Sequence, residues 1–257
     1  MSNYEKIRVE EFLDGKALKV VLNAPKANIL DGQMMAEILD LLKVVKSRKA
    51  LRLLTFVGEG KHFCFGASVP DHVKEKAPAM LESFHSMFLR LIELGIPTAA
   101  AVRGQCLGGG MELATFCNRV VATPGAALGQ PEIQLAVLPP IASLILPARI
   151  GQGKADDLIL TGRSVSGEEA FAMGLVDELA DDPEAAVEAW ATEHLLPKSA
   201  AALRFATRTS RWHFNMVVHD HIRAVEKLYL GGLMATHDAN EGLAAFLERR
   251  KPEWTDE

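Results

Sequence analysis

The chain has 257 residues, of which 49% are apolar and 24% charged, with a formal net charge of -5. That length can bury a full core as one large domain or as a domain with an appendage, and the mildly acidic balance argues against nucleic acid or an anionic membrane as the main partner. Three cysteines, Cys64, Cys106 and Cys117, form an odd set with no CxxC spacing, which points to neither a disulfide framework nor a zinc site and suits a reducing cytoplasm.

The opening MSNYEKIRVEEF carries charges throughout and lacks the apolar stretch of a signal peptide. The apolar run from Thr98 to Val102 is cut by Arg103 far short of a membrane span, so a cytoplasmic protein is expected. Ile7 to Phe12 and Leu18 to Leu22 read as strands around the turn pair Asp14-Gly15. In LNAPKANIL, residues 22–30, Pro25 and Asn28 break the strand, and Lys26 is the only cation, either solvated or in contact with a phosphate. Met34, Ile38, Leu42 and Val45 keep helical spacing between Gln33 and Ser47. Arg52 to Val57 is apolar enough for a strand covered on both faces.

The next loop, GEGKHFCFGASV at 58–69, is too apolar at Phe63, Phe65 and Val69 for plain surface. Its centre, Gly66-Ala67, either meets a ligand with bare amides or tucks into the core. Leu81, Phe84, Phe88, Leu91 and Ile92 mark a helix stopped by Gly95 and Pro97, with His85 on or near its packed face. A strand from Thr98 to Val102 leads to the glycine turn, a helix carrying Glu112, and a strand from Arg119 to Thr123. Ser166 and Glu169 form a capping box for a helix from Gly167 to Met173, closed by Gly174. Asp182-Pro183 opens another helix. From Pro197 the pattern is helical almost to the end, with interruptions near Arg211 to Phe214 and at Gly231-Gly232. His219 and His221 are two apart, face differently on a helix, and make no metal pair. The change of pattern divides the chain into a core at 1–196 and a C-terminal helical region at 197–257.

Chemistry concentrates in GQCLGGGMELA, Gly104 to Ala114. Glycines before a helix let a ligand approach bare backbone, and the first helical amides and the dipole suit a developing negative charge. Glu112 lies within a turn of those donors. Glu132 follows in GQPEIQLAVLPP, residues 129–140, among apolar and proline neighbours. A dipole favours a charged carboxylate and apolar burial a neutral one, so the two glutamates are expected to differ in proton affinity, one to accept and one to donate.

These stretches resemble the crotonase (enoyl-CoA hydratase/isomerase) superfamily over nearly the whole chain: LNAPKANIL, HFCFGASV, AAVRGQCLGGGMELA, GQPE, TGRSVSGEEAFAMGLVDEL and EGLAAFLERRKPEW occur in the family's order. The resemblance implies an α/β fold, a spiral of repeated ββα units, followed by C-terminal helices that assemble a homotrimer or a dimer of trimers. It also implies an acyl-CoA thioester substrate, with coenzyme A belonging to the substrate and no separate cofactor or metal. The amides of Ala67 and Gly109 would grip the thioester oxygen. Glu112 would act as base and Glu132 as acid, although which glutamate takes which part stays open. Lys26 and Ala27 would meet the adenine and phosphates, Phe65, Gly66 and Ser68 the pantetheine, and Lys251 the phosphates, from its own or a neighbouring subunit.

Ser68 stands where the family usually has Asp, and the run from Leu138 to Pro147 replaces a glycine-containing stretch, so Leu138, Pro139, Pro140 and Ile141 would shape a rigid acyl pocket. With APKAN, FGASV and RGQCLGG, these departures are most similar to hydratases of cyclohexa-1,5-diene-1-carbonyl-CoA in anaerobic benzoyl-CoA degradation. A general enoyl-CoA hydratase and a non-catalytic binding protein of the same fold are the alternatives.

Overall fold

The computed structural model describes residues 4–24 and 26–257; Pro25, one of the two expected strand breakers, lies outside them. Strands β1 (Ile7–Phe12) and β2 (Ala17–Leu22) pair antiparallel around a turn with positive φ at Leu13, Asp14 and Gly15. From β2 onward the chain repeats one unit. Each turn lays a strand in a large sheet, makes a second strand-like contact, and then returns through a helix.

The first turn runs from β2 through a single bridge at Leu30 to α1 (Gly32–Val45). The second runs from β3 (Leu53–Gly58) through a bridge at Cys64 to α2 (Ala77–Leu94). In the third and fourth the second contact grows into strands. These are β4 (Thr98–Val102), β5 (Gln105–Leu107) and α3 (Gly109–Phe116), then β6 (Arg119–Ala122), β7 (Ala127–Gly129) and α4 (Pro140–Ile150). After α5 (Gln152–Thr161) come β8 (Ser164–Ser166), α6 (Gly167–Met173), β9 (Glu178–Leu179) and α7 (Pro183–Trp190). The large sheet has the order β1-β2-β3-β4-β6-β9, parallel after its first pair, and the small one the order β5-β7-β8.

Alternation along the central strands explains why they read as continuous apolar runs. Leu54 and Phe56 face the main core with Val20 and Leu22, while Leu53 and Val57 face a second core with Val21, Ala99 and Val121, closed by Val187 of α7. Of the expected capping box at α6, Ser166 accepts from the Glu169 amide, while the Glu169 carboxylate pairs with Arg163 instead of returning to the Ser166 amide; Gly174 sits at φ 85°, and Asp182 caps α7.

The C-terminal helices α8 (Ala200–Ser210), α9 (Trp212–Lys227) and α10 (His237–Glu248) fold back over the spiral. Helix α9 packs on α4 and α2, and α10 on the turn that carries Glu132. His85 is buried and bonded to Glu226 of α9 at 2.6 Å, a packing role. Between α9 and α10 the chain widens into a π turn, Leu228–Gly232, where the sequence pattern is interrupted. Among the described residues no helix is long and apolar enough to cross a membrane.

Candidate active site

Two backbone amides are left without an acceptor by the way the local structure forms. Ala67 pairs with Leu30 in a parallel bridge whose bonds run from the Leu30 amide to the Gly66 carbonyl and from the Ser68 amide to the Leu30 carbonyl. Alternation then turns the Ala67 N–H away from Leu30. Gly109 is the first residue of α3, where an N–H has no partner one turn back. Neither amide meets an acceptor among the described residues. They also lie close together: a Cβ built on Gly109 would stand 3.2 Å from the Ala67 nitrogen and 3.1 Å from the Phe84 ring. Any side chain there would occupy the space between the donors.

Glu112 projects from the first turn of α3 and is 2% exposed. The Ala142 amide donates to its Oε1 at 2.8 Å. The dipole acting on Glu112 is thus that of α4 as well as its own helix. Because Pro140 opens α4 and has no N–H, the first free donors of that helix are those of Ile141 and Ala142.

Glu132 sits in the 3-10 turn Pro131–Leu135, half-buried, with the cavity on its open side. Gln130, fully buried, lays its side-chain amide against the Glu132 carboxyl; with the nitrogen turned to that side it donates to Oε2 at 3.1 Å and to Oε1 at 3.3 Å. On the other side the chain must be glycine: Gly108 has φ 50° and ψ -129°, and a Cβ there would meet Glu132 Oε1 at 2.6 Å.

Burial pushes the Glu112 carboxyl up to about 7, against the pull of the Ala142 and Ile141 amides. Burial also raises Glu132, to about 8, and the charge of Glu112 adds to the rise. The sequence leads one to expect unlike proton affinities from a dipole at one glutamate and burial at the other; instead burial raises both. Desolvation outweighs the dipole, and the two acids differ in degree rather than in direction.

Both carboxyl groups, Ala67 and Gly109 line one cavity of ≈ 280 Å³ with a largely apolar wall that includes Met80, Leu81, Phe84 and Val137. Phe65, Gly66, Leu138, Pro139 and Pro140 are on its surface. Ile141 is not. It is fully buried behind the wall, because α4 turns its side chain into the main core while its amide faces Glu112.

Lys26, Ala27, Ser68 and Lys251 also lie off the cavity surface. Lys26 is exposed at φ 117°, and the Ala27 carbonyl accepts from the Phe65 amide. The Ser68 carbonyl accepts from His72 Nδ1 at 2.8 Å if that nitrogen is protonated. Lys251 is exposed beyond α10. Sequence reasoning passed over Gln130, although it belongs to GQPE, and Tyr229, which lines the cavity from the π turn. The amides can hold an oxygen that gains charge, while the carboxyl groups beside it accept and supply a proton.

The family model for enoyl-CoA hydratase/isomerase matches residues 14–257. A cyclohexa-1,5-dienecarbonyl-CoA hydratase of Thauera aromatica is 46% identical over 241 residues, covering 94% of this chain and 93% of its own length. A probable enoyl-CoA hydratase of Mycobacterium bovis is 35% identical over 256 residues, covering 98% of each chain. The solved enoyl-CoA hydratase of Bacillus anthracis superposes with a TM-score of 0.76 at 30% identity, over 98% of this chain and all of its own. An enoyl-CoA hydratase from Mycobacterium avium subsp. paratuberculosis shares the fold, with a TM-score of 0.84 at 22% identity over 99% of this chain and 100% of that one.

Proposed function

The chain belongs to the enoyl-CoA hydratase/isomerase family as a hydratase, and from that premise we propose that it adds water to a cyclic conjugated dienoyl-CoA, cyclohexa-1,5-diene-1-carbonyl-CoA, giving 6-hydroxycyclohex-1-ene-1-carbonyl-CoA. The observation that carries this reading is the joining of two free amides and two proton-retaining carboxyl groups in one apolar cavity, in a chain 46% identical to a hydratase of that substrate.

The thioester oxygen accepts from the Ala67 and Gly109 amides. Glu112 takes a proton from water as the water oxygen bonds to the ring. The displaced electron pair moves through the conjugated system onto the thioester oxygen, where the amides meet it. Glu132 then delivers a proton to carbon, and exchange with solvent resets the pair. Donors already aimed at the oxygen need no rearrangement as its charge grows, and each is worth about 100- to 1000-fold in rate.

Size supports a ring. An apolar cavity of about 150 Å³ holds benzene, so ≈ 280 Å³ leaves room for a six-membered ring and its carbonyl. Pro139 and Pro140 make the wall stiff. Coenzyme A enters as part of the substrate, with Phe65, Gly66 and Ser68 along the pantetheine and Lys26, Ala27 and Lys251 near the nucleotide end. No separate cofactor is invoked. A cytoplasmic homotrimer or dimer of trimers, with a core at 1–196 and an assembly region at 197–257, completes the proposal. Such a diene arises where an aromatic acyl-CoA is reduced, the benzoyl-CoA setting implied by the sequence resemblance.

The test is turnover by the purified protein on a panel of linear and cyclic thioesters. The cyclic diene is expected to be hydrated with a kcat/KM at least about 10-fold above that of crotonyl-CoA, the scale on which an apolar pocket separates substrates. Preference for crotonyl-CoA would return the enzyme to the general enoyl-CoA hydratases.

A further inference from the structure

Tyr229 is 1% exposed, and its hydroxyl has no hydrogen-bond partner among the described residues. A buried tyrosine ordinarily finds one, because an unpaired hydroxyl in an apolar setting is costly. Tyr229 lines the same cavity as Glu112 and Glu132. Burial, followed by the charges of Glu132 and then Glu112, raises the phenol well above its ordinary range, so it stays a proton-bearing donor. Glu112 has a protein donor in the Ala142 amide, and Glu132 gains one when the Gln130 amide turns its nitrogen to that side. Tyr229 stands in the π turn Leu228–Gly232, a widening of the helix of the kind found often at functional sites. A phenylalanine would fill the same volume, so packing alone gives no reason for the oxygen.

We propose that the Tyr229 hydroxyl donates a hydrogen bond to the reacting oxygen, first as the water that adds and then as the hydroxyl of the product. The inference rests on the hydratase reading above and adds a third polar group to the two carboxyl groups, one supplied by the C-terminal helices. Such a bond orients the water and recognises the hydroxylated ring.

Two measurements test it. In wild-type protein, calorimetry compares 6-hydroxycyclohex-1-ene-1-carbonyl-CoA with cyclohex-1-ene-1-carbonyl-CoA, ligands that differ only in the hydroxyl. The hydroxylated thioester is expected to bind about 10-fold tighter, and equal affinities overturn the inference with no variant needed. In Tyr229→Phe, that preference is expected to shrink several-fold, to what Glu112 alone supplies, while affinity for the ligand lacking the hydroxyl is kept. There kcat should fall about 10- to 100-fold at little-changed KM. A variant with wild-type kcat and wild-type ligand preference overturns the inference while leaving the hydratase reading intact. Absence of hydration by the wild-type protein on every thioester would instead overturn that reading, before any substitution is made.

Discussion

At the scale of single residues, the two carboxyl groups set the pH range over which the site works. Glu112 accepts a proton only when ionised, so activity should fall as pH drops through about 7. Glu132 donates only while protonated, so activity should also fall as pH rises through about 8. The expected kcat/KM profile is a narrow bell whose limbs belong to the coupled pair. Glu132→Gln removes the alkaline limb. The acid limb should stay near 7, because burial and not the charge of Glu132 raises Glu112, while the rate falls about 100- to 10,000-fold. An unaltered profile in Glu132→Gln, measured by stopped assay across pH 5 to 10, would deny Glu132 its part. The same shift bears on stability, with the opposite sign from an ordinary salt-bridged carboxylate. Folding raises the Glu132 value from 4.5 to about 8, so its contribution is fully present below 4.5 and is lost as pH rises through about 8. The glutamine variant should therefore gain stability over wild type at alkaline pH, on the order of a few kcal/mol, and gain little in acid.

At the scale of elements, the short helix α3 carries both the Gly109 amide and Glu112, and its far end is held by two arginines. Arg211 donates to the Phe116 carbonyl at 2.6 Å and to that of Cys117 at 3.3 Å, while Arg149 of α4 donates to Cys117 at 2.9 Å. Cations at a helix C-terminus satisfy its free carbonyls and complement its dipole. The guanidinium of Arg211 also lies 4.1 Å from the centre of the Phe214 ring. Burial, with the charge of Arg149 nearby, lowers its value to about 10, so it remains charged at neutral pH. Arg211→Met keeps most of the stem but leaves carbonyls unpaired. It should cost about 2 to 4 kcal/mol in denaturant unfolding, and a loss below about 0.5 kcal/mol would show that Arg149 suffices alone.

How much of this was legible in the sequence follows the range of the forces involved. Caps and strand cores are local, so the Ser166 box and the Arg52 to Val57 run could be read within a residue or two. The cap formed by Arg211 spans almost a hundred positions and left only an interruption in a helical pattern. Asn28 likewise read as a strand breaker. It is in fact fully buried, and its Nδ2 serves the carbonyls of Glu59, His62 and Phe63, tying the first loop to the one that holds Ala67. The glycine run and the two glutamates stood out because their chemistry is written in residue type. Gln130 and Tyr229 did not, because their meaning depends on what the fold places beside them.

At the scale of the whole molecule, the C-terminal helices both complete the cavity and present an apolar exterior. Phe205, Trp212, Leu228, Phe246 and Trp254 are exposed, Trp212 at 66% and Leu228 at 67%. In the proposed trimer, the resemblance would place the contacts between protomers on these helices and bury such groups there. Light scattering at micromolar concentration is therefore expected to give three or six times the protomer mass, and a monomer would remove the assembly proposal. Leu228 links assembly to chemistry. It is exposed on the π turn, and its neighbour Tyr229 is the group that turn delivers to the cavity. A partner protomer packed on Leu228 would hold the turn in place, so Leu228→Glu should dissociate the assembly and lower kcat, although Glu112 and Glu132 stand on the spiral. Full activity in a dissociated Leu228→Glu protein would show that the turn holds its shape unaided, whereas joint loss of mass and rate would show that the active site is finished only on assembly.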